Sequence, residues 1–477
     1  MSNKDSLAAQ RLARLLDQNS FVELGSLVTA RSTDFNLKEQ AEASDGVITG
    51  HGLIDGNLVF VYSQDVSVLN GTIGEMHAKK IAGVYDMAMK MGAPVIGFLD
   101  CAGIRLQESV DALSGLGRIY RKMAQASGVI PQIAAVFGEC GGGLSVVPAM
   151  CDFCFIEAEH GKLFLNSPNA IEGNHVDKCD TSAAKFQSQE TGNIDLAGTE
   201  DEILTAIRTL IPMLPDNNSG KQLDQPTADD LNRACQSMDV MKGDARYLAA
   251  ELSDDHVFFE TKKDFAKSMV TGFIRLNGTT VGLVANTTEI HDASGEKTDS
   301  FDAVLNAKGT EKAASFVNFC DAFEIPVLTL VNTKGFCNCM CAEKRLAREL
   351  GALTVAYANA TVPKVTLVVG EAYGSAGVLM ASRQIGADLV YAWPTAKIGM
   401  MAADLAAKIM YPDADAATLS EKAKEYDALQ DSALTAAKRG YVDLLVEPQD
   451  TRKYLIDAFE MLYTKRMDVP FKKHSAK

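Results

Sequence analysis

The chain is short of positive charge: 46 lysines and arginines stand against 62 aspartates and glutamates in 477 residues, a formal charge of −16. A nucleic-acid binder needs a basic stripe facing phosphates, so this balance excludes that class and is read as solubility. Long apolar runs are missing as well. No stretch approaches the ~20 residues that a membrane helix needs, and the start, MSNKDSLAAQ, lacks the apolar core of an export signal. Ten cysteines without small-domain spacing read as reduced thiols of the cytoplasm rather than a disulfide framework. Catalytic signatures are also scarce. Seven histidines are scattered, none beside a Gly-x-Ser-x-Gly elbow. His77, in EMHAKK, reads as a helix residue rather than a base.

What is present is said twice. Pro94 to Leu99 (PVIGFL) matches Pro326 to Val331 (PVLTLV), and Pro131 through Glu139 matches Pro363 through Glu371, both at an offset of 232 without a gap. Such self-similarity marks a duplicated fold. Apolar content of 47% and a length beyond one comfortable core agree with two domains, expected at 1–222 and 223–477. The Pro-, Asn-, Asp- and Gly-rich stretch from Leu214 to Thr227 is the expected linker.

Each half repeats one order of elements. Leu7, Leu12, Leu15 and Leu16 predict one face of a leading helix. Val47 to Asp65 alternates as a hairpin turning at Asp55-Gly56-Asn57, and Ser268 to Thr287 repeats it with a turn at Asn277-Gly278. Helices follow at Glu75–Met91 and Thr310–Phe323. Next come PVIGFLD and PVLTLVN, apolar on both faces as in a sheet covered on both sides, then further helices and the strands IPQIAAVFG and VPKVTLVVG. The arrangement is α/β.

Each of these last strands runs into small residues, CGGGLS (Cys140 to Ser145) and YGSAG (Tyr373 to Gly377). The first lacks the Lys-Ser/Thr of a phosphate loop and the spacing of a dinucleotide fingerprint. Glycines at a helix start leave backbone N–H groups unobstructed at the positive end of the dipole, the chemistry of an oxyanion hole. Close helix packing is the competing reading. DCAGIR (Asp100 to Arg105) sits at a strand end, with Arg105 available for an anion or resting on the surface; NTKGF (Asn332 to Phe336) keeps only its glycine. Cys337, Cys339 and Cys341 form a C-x-C-x-C cluster with no nearby partner set to complete a four-ligand metal site, so no metal is expected.

Motifs along nearly the whole chain resemble the carboxyltransferase subunits of biotin-dependent acyl-CoA carboxylases, of the propionyl-CoA carboxylase β type, and related decarboxylase α subunits. They include DGVITGHGLIDGNLVFVYSQD, GEMHAKKI, MGAPVIGFLD, RLQESVDAL, ASGVIPQIAAVFGECGGG, FCDAFEIPVL, ATVPKVTLVVGEAYGSAG, WPTAKIGMM and RGYVDLLVEPQDTR. The resemblance implies two tandem ClpP/crotonase-like domains related by internal duplication. It implies that Gly142 and Gly143 hold an acyl-CoA thioester carbonyl, with Gly103, Ile104, Arg105 and Val378 around the substrate. Ser375 and Ala376 would hold the biotin ureido carbonyl, with Gly335, Phe336 and Gly374 beside the ring. The biotin nitrogen would take the α-proton and the resulting enolate would attack carbon dioxide.

The same resemblance implies a biotin carboxyl carrier protein, a biotin carboxylase or membrane decarboxylase subunit as partner, and a homohexamer built as a dimer of trimers. The setting would be cytoplasmic or at the edge of a membrane complex. The chain departs from the family at Ile104, at Ser375 and most of all at KGFCNCMCAEKRLARELGA. AMKM around Lys90 imitates a biotinylation string, but it ends an amphipathic helix instead of forming an exposed hairpin turn. Sodium-pumping decarboxylation of a dicarboxylic acyl-CoA uses the same site. Enoyl-CoA hydration or isomerisation on Glu139 and Glu371, and a scaffold without turnover, are the remaining alternatives.

Overall fold

The apolar blocks that repeat at offset 232 become the central strands of two sheets. The computed structural model describes residues 5–31, 44–219, 225–292 and 294–467. The chain divides into two compact units, Met1–Gln222 and Leu223–Lys477. The division expected at 222/223 falls on residues 220–224, outside the described ones.

In the first unit the sheet runs Val22–Leu24, Val47–Ile54, Asn57–Gln64, Val95–Cys101, Gln132–Gly141, Phe153–Glu157 and Leu196–Gly198. The first three strands are antiparallel and the rest parallel. In the second unit Phe259–Thr261, Met269–Leu276, Thr279–Asn286, Val327–Thr333, Lys364–Tyr373, Leu389–Ala392 and Leu444–Leu445 repeat that order and sense. The two-residue hairpin turns explain the antiparallel edge, since Asp55, Gly56, Asn277 and Gly278 all take positive φ. The parallel strands need helical crossovers, supplied by Glu75–Met91 and Ser109–Ala126 in one unit and Ala307–Ala322 and Met340–Asn359 in the other.

Helix and strand boundaries have local causes. Glu75–Met91 stops because Gly92 adopts φ +63°, its N–H returning to Ala88 O. Ala307–Ala322 starts three residues earlier than Thr310, because Asn306 caps it by accepting from Gly309 N–H at 2.8 Å. The leading helix spans Leu7–Leu15, with Leu12, Leu15 and Leu16 buried but Leu7 56% exposed. Leu7 therefore does not share the apolar face expected of it. Each unit has its own core between sheet and helices, around Tyr62, Tyr85 and Val136 in the first and Leu328, Leu367 and Trp393 in the second.

Candidate active site

Both sheets break their ladder at one place. Leu99 pairs with Val136, but Cys101 pairs with Cys140; Val331 pairs with Val368, but Thr333 pairs with Ala372. Past the break each long strand leaves the main sheet and pairs with a short one, Lys162–Phe164 or Lys397–Gly399. A bulge of this kind orphans backbone donors, and the fold supplies an acceptor. Asp100 accepts from the backbone N–H of Glu139, and Asn332 accepts from Glu371 N–H at 3.1 Å. The side chain must lie against the strand for this. That is why the break carries Gly138 and Gly370: a Cβ there would sit 2.0 Å from Asp100 Oδ1 and 2.3 Å from Asn332 Oδ1.

The redirected strands end at matching glycines, Gly142 at φ +60° and Gly374 at φ +57°. The first copy continues as a tight 3-10 turn, Gly142–Ser145, before the helix Val146–Met150; the second enters the helix Gly374–Leu379 directly. First-turn N–H groups have no acceptor inside their own helix, which applies to Gly142, Gly143 and Leu144 in the first copy and to Gly374, Ser375 and Ala376 in the second. Space around Gly142 is open to 4 Å, and a Cβ on Gly374 would approach only Met400 O, at 3.2 Å.

The two turns are secured differently. Ser145 Oγ donates to Gly142 O at 2.7 Å and the Tyr120 hydroxyl donates to Gly143 O. At the same offset the second copy has Gly377 and Ala352, and Gly377 packs on the Ala372 backbone, where a Cβ would come within 2.7 Å. Beside the second turn lies a cavity of about 320 Å³, lined by Gly374, Gly377, Val378, Ile398, Met400 and Arg383 among others. Val378 is 40% exposed, and Ser382 Oγ and Arg383 Nε in the same wall have no hydrogen-bond partner among the described residues. Gly335 and Phe336 pair in parallel with Val304 and Leu305 in this same unit, with Phe336 exposed.

The expectation for Arg105 is corrected. Its side chain is 2% exposed, neither on the surface nor open to an anion. Asp45 and Glu108 each hold its Nη1 at 2.7 Å, and Nη2 donates to Thr72 O at 2.7 Å. Glu108 in turn accepts from Glu75 N–H at 2.6 Å, tying the network to the start of Glu75–Met91. Gly103, at φ +116°, has open space around it, and Ile104 bridges to Ile73. His77 is a buried helix residue whose Nδ1 and Nε2 meet Asp45 O at 2.9 Å and Gln64 Nε2 at 3.2 Å. Burial pushes it down to about 3, with Arg105 adding to the effect, so it stays neutral. Lys90 is exposed within the helix Glu75–Met91.

Several residues that position the site carry no familiar motif. Asp100 also meets Arg11 at 3.2 Å, and burial raises its carboxyl against that opposing charge. Lys80 and Lys312 are both buried: Lys80 donates to Ser44 O at 3.1 Å and to Val47 O, and Lys312 to Lys262 O at 2.9 Å and Phe265 O at 3.1 Å. Each anchors a helix to the segment before its hairpin. Burial lowers Lys80 to about 8. The signal was available, because Asp100/Asn332 and Lys80/Lys312 each lie 232 apart. Among the described residues no helix is long and apolar enough to cross a membrane, and no three His, Cys, Asp or Glu side chains gather as metal ligands.

A family model described as "Carboxyl transferase domain" matches residues 2–476. The propionyl-CoA carboxylase beta chain of Roseobacter denitrificans is 39% identical over 481 residues, covering 98% of this chain and 92% of that protein. The methylmalonyl-CoA decarboxylase subunit alpha of Propionigenium modestum is 38% identical with the same coverage. A solved transcarboxylase 12S hexamer, with methylmalonyl-coenzyme A and methylmalonic acid bound, superposes with a TM-score of 0.91 at 35% identity, over 98% of this chain and 92% of that one.

Proposed function

The chain belongs to the carboxyl transferase family, and from that premise we propose that it moves a carboxyl group between carrier-borne biotin and the α-carbon of an acyl-CoA. The observation that carries this reading is the pair of donor turns at one offset, each at the end of a redirected strand and opened by a left-handed glycine. Gly142 and Gly143 face the thioester carbonyl. Ser375 and Ala376 face the biotin ureido carbonyl. Backbone donors fixed before the reaction stabilise an oxygen that gains charge only as the enolate forms, where they lower the barrier most.

Biotin fits beside the second turn: Gly374 brings no side chain to it, Phe336 and Val378 offer exposed apolar surface, and Ser382 Oγ and Arg383 Nε, without a partner among the described residues, lie nearby. When bound it supplies the carboxyl group and a ring nitrogen that takes the α-proton. The chain's own part is to hold both carbonyls and exclude side reactions. Gly103 and Ile104 line the acyl-CoA side, and Val378 meets the acyl chain. Arg105 acts only by holding the backbone that carries them.

The transcarboxylase relative was solved as a hexamer, and the reading extends a hexamer to this chain, built as a dimer of trimers, in the cytoplasm. Its partners are a biotin carboxyl carrier protein and either a biotin carboxylase or a membrane decarboxylase subunit. Relatives named as carboxylase and as decarboxylase are almost equally similar, so the second reading is the decarboxylase direction. Copurification with a membrane subunit would select it.

The test offers the purified chain malonyl-, methylmalonyl- and glutaconyl-CoA separately with excess biotin, following each ester by mass. Biotin-dependent loss of the carboxyl group from one of them is expected. Loss that proceeds equally without biotin, or no loss from any ester even with biotinylated carrier protein added, overturns the reading.

A further inference from the structure

One loop repeats its backbone in both copies but is fastened by different chemistry. At offset 232, Gly103-Ile104-Arg105 corresponds to Gly335-Phe336-Cys337. Arg105 N–H donates to Ile73 O at 2.9 Å, and Cys337 N–H donates to Leu305 O at 2.9 Å. Beyond the backbone the likeness ends. In the first copy the arginine closes a buried ionic network with Asp45 and Glu108. In the second, a half-buried thiol faces another thiol: Cys337 Sγ lies 3.5 Å from Cys339 Sγ, and Cys339 is exposed. The side chain of Cys341 lies outside the described residues.

The sulfurs are not equivalent. Cys339 caps the helix Met340–Asn359, its Sγ accepting from Ala342 N–H at 3.3 Å. The positive end of a 20-residue helix favours negative charge on that sulfur, and the thiolate is the form that attacks a disulfide. A disulfide bond is about 2.05 Å long, so closure asks side-chain rotation and a small loop shift to bring the sulfurs nearer by roughly 1.5 Å.

We propose that Cys337 and Cys339 are a reversible thiol–disulfide site for small disulfides of the glutathione type, and that closing it disables the biotin-side loop of Gly335 and Phe336. Cys339 thiolate attacks the small disulfide, forming a mixed disulfide and expelling one thiolate. Cys337 thiolate then attacks Cys339 Sγ, forming the internal bond and expelling the second. Two protein protons pass to solvent and on to the released thiolates; two electrons reduce the small disulfide to two thiols. Oxidation ties up the sulfur that caps Met340–Asn359 and pulls on the residue next to Phe336. The effect on turnover rests on the functional reading above; the thiol chemistry does not.

The experiment equilibrates the full chain with oxidised and reduced glutathione, blocks remaining thiols and weighs the tryptic peptide Gly335–Lys344. The expected result is a loss of two hydrogens, reversed by dithiothreitol. It persists in Cys341→Ser and becomes a single glutathione adduct in Cys337→Ser. Biotin-dependent decarboxylation of the wild-type chain should fall about tenfold or more on oxidation, since small misplacements in a site cost that much, and Cys337→Ser should resist the loss. A peptide that keeps every thiol, an internal disulfide that survives Cys337→Ser, or protection relieved by a chelator instead of a reductant overturns the site. A disulfide that leaves turnover unchanged overturns its control of the loop. With no turnover in either state, the mass result still decides the thiol site, and the failure belongs to the functional reading.

Discussion

The two copies share strand order, ladder break and glycine turn, yet they stabilise the same geometry by different means. In the first unit charge and hydroxyls do it: Arg105 with Asp45 and Glu108, Arg11 with Asp100, Tyr120 and Ser145 on the turn carbonyls. In the second, the equivalents are Cys337, the neutral Asn332, Ala352 and Gly377, and packing replaces ion pairs. Backbone geometry is therefore what duplication retained, because the donors at each turn are main-chain groups. The side chains behind them were then at liberty to diverge.

The sharpest way to break this comparison is at the two loop anchors. Arg105→Met leaves two buried carboxylates unpaired and should cost about 3–5 kcal/mol in urea unfolding, whereas Cys337→Ser in reduced protein should cost under about 1 kcal/mol. Equal costs would mean that the first loop does not depend on its ionic network. The next test concerns the turns. Proline is tolerated in a first helical turn but has no N–H, so Gly143→Pro and Ser375→Pro each delete one donor. Each should lower kcat roughly 10²–10³-fold, with Ser375→Ala close to wild type because its N–H remains. Ser375→Ala as damaged as Ser375→Pro would assign the effect to the hydroxyl instead.

Acid stability should also differ between the units. His77 is held near 3, below its unfolded value, so the unfolded chain binds the extra proton between about pH 6.5 and 3. Stability is then intact above 6.5 and falls with pH by up to about 1.4 kcal/mol per unit across that window. His77→Gln should flatten this slope in pH-dependent unfolding of the first unit, while Gly309, at the equivalent position, gives the second unit no such dependence. An unchanged slope would place the acid sensitivity elsewhere. The smallest effect is expected at Val378, which lines the second unit's cavity without holding a reacting atom. Val378→Asp should change relative rates across an acyl-CoA panel by about tenfold; an unaltered order would remove it from chain-length selection.

How much of this was legible depends on sequence distance. The hairpins, the crossover helix Glu75–Met91 and both small-residue turns could be read locally, because alternation, capping and left-handed glycines act within a few residues. The inward course of Arg105 could not, since Asp45 stands 60 positions away and no local signal joins them. The exposure of Leu7 was misjudged for a similar reason: periodicity gives a helix face but not where the covering surface ends. Asp100 and Asn332 showed only as the last letters of two apolar strands. Their hydrogen bonds come from a register shift that neighbouring strands impose.

By itself the sequence determined the duplication, the order of elements and the two small-residue turns, because each follows from short-range rules of pattern and φ. Only the tertiary structure decided which charges turn inward and where a cavity remains beside the second turn. A buried charge is tolerable only when distant segments bring its partner, and a cavity is the space that side chains from residues 331 to 442 together fail to fill.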